Sequence, residues 1–207
     1  MTPELLALFV SAFVTFFVVI DPPGCAPIFG SLVAGTPAAH KRAMAVRSTL
    51  VAAGILFAFA LVGKGFLKAL GVGLPAFRIA GGIMLFLIAL EMVFEKRTER
   101  RENRAVAVGE AEDISVFPMG IPMIAGPGSI ASAMLLTSRA EGWVERGVVL
   151  AALALTLFLT MLSLLAAGPL LSLIGNKLEA MITRVLGVIL AALAAQFVID
   201  GIRASFL

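Results

Sequence analysis

Apolar residues fall into six blocks, at about 5–34, 43–63, 75–94, 114–138, 147–168 and 179–202. Each is near the length of about 20 residues that a helix needs to cross about 30 Å of hydrocarbon. Within a block the pattern is apolar on every face, as in Ile83-Met84-Leu85-Phe86-Leu87-Ile88-Ala89-Leu90. A barrel strand would instead alternate apolar and polar positions. Backbone groups in lipid must bond within their own segment, so these blocks are helices. The pattern predicts an all-α membrane protein with six transmembrane helices.

Two of the six blocks are interrupted. One carries Asp21-Pro22-Pro23-Gly24 and the other Gly126-Pro127-Gly128-Ser129. Pro23 and Pro127 stand 104 residues apart in a chain of 207. Proline lacks an N–H and drives the preceding residue out of helical geometry. Glycine then permits a tight turn. The first helix of each half is therefore expected to be broken, with a second half-helix starting near Cys25 in the first case.

The order of features repeats in the two halves: broken helix, plain helix, then a helix led by arginine. Arg78 and Gly81 match Arg184 and Gly187 in spacing. Three spans is an odd number, so the second half must enter the membrane upside down. The expectation is one membrane domain over 1–207, built as two inverted three-helix repeats, 1–94 and 114–207. Residues 95–113 form the only long polar segment and read as a solvated cytoplasmic linker.

Composition agrees with this plan: 60% of residues are apolar and 14% charged, against about 25% charged in soluble domains. The net charge of +3 does not signify a nucleic-acid partner, because the cations lie at span ends. Ten of the 16 Lys and Arg residues fall on the side of the linker. Such an excess marks the cytoplasmic face, placing both termini outside. Met1-Thr2-Pro3-Glu4 leads straight into an apolar run and reads as the start of a first span. Cys25, the single cysteine, excludes an internal disulfide, and its small size is expected to matter more than its thiol.

The breaks are the candidate substrate site: Asp21, Pro22, Pro23 and Gly24 in one half, Gly126, Pro127, Gly128 and Ser129 in the other. A half-helix N-terminus carries about +0.5 charge and free N–H donors, which favours a carboxylate. The carbonyl end beside Asp21 favours an ammonium group, a sodium ion or a proton. Ser129 is a candidate cap for the helix that follows. Asp21, buried without a cation, is expected to titrate high. A bare structural kink is the competing explanation of each break, weakened by their matched positions.

Charged residues inside spans are costly and suggest function. The inverted topology puts Arg78 level with Asp200 outside and Arg184 level with Glu91 inside. These are candidate salt bridges of an outer and an inner gate. Gln196 is expected to bond between helices, and His40 to lie in a polar loop.

Arg78-Ile79-Ala80-Gly81-Gly82, Phe117-Pro118 through Pro122, the run from Ala125 to Ala131 and the run from Gln196 to Ile202 resemble the MarC family of bacterial inner-membrane proteins. The Asp21-Pro22-x-Gly24 turn is similar too. The resemblance spans about residues 5–203, apart from the linker. It implies six spans, a bacterial inner-membrane location and kinship with neutral amino-acid transporters.

The expected function is a secondary transporter, and conceivably an exporter, of small neutral amino acids, driven by a proton or sodium ion and held in the lipid bilayer. An ion or small-solute channel and a non-transport membrane protein are the alternatives. No nucleotide-binding loop, metal motif or catalytic constellation is evident, so neither a cofactor nor an enzyme is expected. Helices rich in small residues, such as 184–195, would suit a homo-oligomer as well as internal packing.

Overall fold

The computed structural model describes residues 2–97, 99–101 and 113–206. Residues 102–112, most of the expected linker, lie outside the described residues. The elements run α1 (Pro3–Ile20), α2 (Pro22–Leu32), α3 (Ala38–Ala69), α4 (Leu74–Val93), an irregular α5 (Ser115–Ile124), α6 (Pro127–Arg139), α7 (Trp143–Leu165) and α8 (Ala167–Phe206). Among the described residues there is no strand. Five spans are long and apolar enough to cross a membrane, or six where the bent pair α5–α6 is counted as one span.

Local chemistry sets the element boundaries. Thr2 accepts a hydrogen bond from the Leu5 N–H and Pro3 occupies the first turn of α1, where proline's missing donor costs nothing. Asp113 accepts from the Ser115 N–H at 2.8 Å and so starts α5. That bond, with Arg47 nearby, holds the Asp113 carboxyl below its usual range. Five hydroxyls are satisfied by their own helix: Thr15, Ser48, Thr49, Thr156 and Thr160 each donate to the carbonyl four residues back.

The helices differ from the expected blocks mainly in length. Apolar content marks only the part of a helix within lipid, and the hydrogen-bond ladder continues beyond it. Thus α3 has 32 residues and α8 has 40, about 48 and 60 Å at 1.5 Å per residue. His40 lies in the first turn of α3 and not in a loop.

Packing exchanges the two halves. Broken helix α1–α2 lies on α7, and broken segment α5–α6 lies on α3. The third helices, α4 and α8, lie on each other. Each half thus supports the break of the other. The α4–α8 contact is antiparallel and close. A Cβ on Gly82 would come within 2.8 Å of the Ala194 carbonyl oxygen, and one on Gly201 within 3.0 Å of that of Pro75. Phe16, Ile20, Leu56, Leu85, Ile124 and Leu153 fill the shared core. Leu50, Leu61, Leu87, Phe158 and Val188 point outward, where lipid would cover them.

Candidate functional site

The first break is made by one residue. Asp21 has φ 60° and ψ 66°, the left-handed region that aspartate tolerates better than most residues. Its N–H closes α1 on the Phe17 carbonyl at 2.9 Å. Its Oδ1 opens α2 by accepting from the Gly24 N–H at 3.2 Å. The second half-helix therefore begins at Pro22, not near Cys25, because Asp21 serves both as cap of one helix and as cap of the next. Glycine is required at position 24: a Cβ there would stand 2.3 Å from the Asp21 carboxylate.

The second break is longer. Phe117 and Ile121 are extended, at φ −128°, ψ 130° and φ −129°, ψ 127°. Each precedes a proline, the position proline pushes into that region. Both X-Pro bonds, Phe117–Pro118 and Ile121–Pro122, are cis. The chain turns by 55° between α5 and α6. Gly126 precedes α6, and no side chain caps that helix. Ser129 is not the cap. It lies within the first turn of α6, and its hydroxyl donates back to the Ile124 carbonyl at 2.7 Å.

The two breaks meet. A Cβ on Gly128 would come within 3.3 Å of Val19 in α1 and 2.4 Å of Ile88 in α4. Beside this contact lies a cavity of about 70 Å³. Val19, Glu91, Arg97, Arg101, Gly126 and Gly128 are among its lining residues. It is far smaller than the about 300–1,000 Å³ of drug-sized pockets, so only a very small solute would fit. Three arginines, Arg97, Arg100 and Arg101, line it against one carboxylate, Glu91.

The arginines correct the expectation for Asp21. Arg101 Nη1 lies 3.0 Å from Asp21 Oδ2, and Nη2 donates to the Ile20 carbonyl at 3.3 Å. Both side chains of this pair are more than nine-tenths buried. Arg97 Nη2 donates to the Val19 carbonyl, and the Cys25 thiol to that of Ile20 at 3.5 Å. Asp21 thus has a cation partner, and Arg97 and Arg101 turn inward from the start of the linker while Glu95, Lys96, Glu99 and Arg100 stay exposed. Residues 97 and 101 are four apart, which puts them on one helical face. That spacing was the available signal. Burial, then repulsion from Arg101, lowers the Arg97 pKa from 12.5 to about 10, so it remains a cation at neutral pH.

The expected gate residues share ends of the bundle but have other partners. Gly201 packs against Pro75 and Ile79, so Asp200 and Arg78 share one end of the bundle. Asp200 is bound by Arg139 and by Gln196 Nε2 at 2.6 Å. Arg139, at the end of α6, also lies over the Phe197 ring at 4.5 Å. Arg78 Nε is buried without a hydrogen-bond partner among the described residues. The Gln196 bond stays within α8 instead of joining two helices. At the other end Arg184 pairs with Glu95 at 2.6 Å, and Glu91 with Arg100. The register explains the shift: Gly187 packs at Ala89–Val93, so position 184, nearly one turn before it, falls opposite Glu95.

The description "MarC family integral membrane protein" matches residues 6–206. This chain belongs to the MarC family. A membrane protein of Methanocaldococcus jannaschii is 36% identical over 203 residues, covering 98% of this chain and 99% of its own. The membrane protein YvbG of Bacillus subtilis is 32% identical over 210 residues, with 98% and 97% covered. The inner membrane protein YhgN of Escherichia coli is 33% identical over 194 residues, with 94% and 95% covered. No solved structure matches this MarC-family chain.

Proposed function

We propose that this MarC-family protein is a secondary transporter of small neutral amino acids. The observation that carries the reading is the meeting of two broken helices, Gly128 against Val19, at one small polar cavity. Paired breaks in inverted halves are how many secondary transporters build a midplane site. The uncapped N-terminus of α6 offers N–H donors and partial positive charge to the substrate carboxylate. Glu91, the carboxylate on the lining, would exchange its Arg100 partner for the ammonium group. The size of the cavity favours glycine, alanine and serine over larger side chains. The positive linker side is the cytoplasm and both termini are outside, in a bacterial inner membrane.

The test is uptake of labelled alanine, glycine and serine into proteoliposomes under imposed proton or sodium gradients. The expected result is saturable, gradient-driven uptake that Gly128→Leu abolishes, because leucine would fill the cavity where the breaks meet. Flux that never saturates would favour a channel. No uptake of any amino acid by folded protein would remove the substrate class.

A further inference from the structure

The buried oxygens of the first break have an unusual occupant. At the end of α1 the Val19 carbonyl has no helical partner, because Pro23 supplies no N–H, and the Gly24 N–H that would serve the Ile20 carbonyl is taken by Asp21 Oδ1. With the Asp21 carboxylate the two carbonyls form a set of hard oxygen ligands. Arg101 touches two of them with one guanidinium, Nη1 on Asp21 and Nη2 on Ile20. Arg97 takes the third, on Val19. Oxygens bridged by a single guanidinium face a common point. All of this cationic occupancy comes from the linker, beyond the last residue of α4, Val93.

We propose that the Val19 carbonyl, the Ile20 carbonyl and the Asp21 carboxylate form a sodium site, and that Arg97 and Arg101 are tethered cations occupying it in competition with the ion. Unwound carbonyls at a half-helix end beside a carboxylate are a suitable oxygen set for sodium. Burial of Asp21 requires some cation there at all times, since an unpaired buried charge is strongly destabilising. One positive charge can therefore replace another, while leaving the site empty is unfavourable. When the arginines withdraw, sodium enters from the linker side; when sodium leaves, the arginines return and close that side. The inference deepens the transport reading by naming the coupling ion, and it rests on that reading only for its link to substrate.

Sodium binding can be measured without transport. The purified full-length protein in detergent is heated in sodium, potassium or choline chloride at constant ionic strength. The wild type, Arg97→Gln/Arg101→Gln, and the same double variant carrying Asp21→Asn are compared. An occupant that fills a site nine-tenths of the time weakens apparent affinity about tenfold. The double arginine variant should therefore show sodium-specific stabilisation at about tenfold lower sodium than the wild type. Adding Asp21→Asn should abolish that response. If the double variant folds only in sodium, the competition is supported directly. The proposal is overturned if the double variant shows no sodium-specific shift, or if the shift survives Asp21→Asn. It is also overturned if the double variant fails to fold in sodium while the variant lacking all three charges folds. Failure of amino-acid uptake alone would leave the sodium site standing and remove only the substrate.

Discussion

At the first break one residue, Asp21, interrupts the helix. At the second, ten residues from Ser115 to Ile124 do so. The first brings a charge into the core, capping α2 and pairing with Arg101. The second brings none: α6 starts without a side-chain cap, and Ser129 returns a neutral hydrogen bond to Ile124. Matched sequence positions have therefore produced unlike chemistry. A charged break must always hold a cation, so it suits an ion and a moving arginine. A neutral break leaves N–H donors open to the cavity, so it suits a substrate carboxylate. The comparison teaches that position in the chain sets where a helix breaks, while the residues at the break set its chemistry.

The largest effect should come from separating charge at the first break. Arg101→Ala, which leaves Asp21 buried without its main partner, should cost about 3–5 kcal/mol in sodium-free buffer. Unfolding in detergent would measure this. Asp21→Asn/Arg101→Ala should recover most of the loss, since asparagine keeps the cap and the left-handed backbone. If the single and double variants are equally unstable, the first break does not depend on charge and the contrast with the second collapses.

Glycine substitutions give an intermediate test. Gly24→Ala places its Cβ 2.3 Å from the Asp21 carboxylate, which is held by Arg101. Gly128→Ala meets the far end of Ile88 at 2.4 Å, a methyl that can swing away. Overpacking costs about 1–3 kcal/mol. Gly24→Ala is expected at the upper end in thermal unfolding, with loss of sodium-specific stabilisation. Gly128→Ala is expected at the lower end in stability, with a clear loss of alanine uptake. The reverse ranking would mean that the second break is the rigid one.

The smallest effect should be at Ser129. Ser129→Ala removes one buried neutral hydrogen bond to Ile124 and should cost about 1 kcal/mol, read from the same unfolding curves. Its sodium response should match the wild type. A changed sodium response would show that the two breaks are energetically coupled in a way their separate chemistries do not require.

The sequence alone determined that the chain is built from apolar helices of membrane-crossing length and where two of them break. Those outcomes depend on local rules: about 20 apolar residues in lipid must be helical, and proline at positions 22, 23, 118, 122 and 127 cannot continue the ladder. It also grouped Arg78 with Asp200 and Arg184 with Glu91, a grouping that the antiparallel packing of α4 and α8 satisfies. It did not assign their partners. Arg139 reaches Asp200 and Glu95 reaches Arg184 because side-chain pairing depends on the register of α4 against α8, which is set by glycine contacts between distant segments. Nor did it show that a polar linker turns its arginines inward. Four-residue spacing puts Arg97 and Arg101 on one face, but only the packed bundle decides what that face meets. Burial of a charge pair is a tertiary event: the carbonyls of Val19 and Ile20 and the carboxylate of Asp21 attract a cation only once the break is enclosed and water is excluded from it.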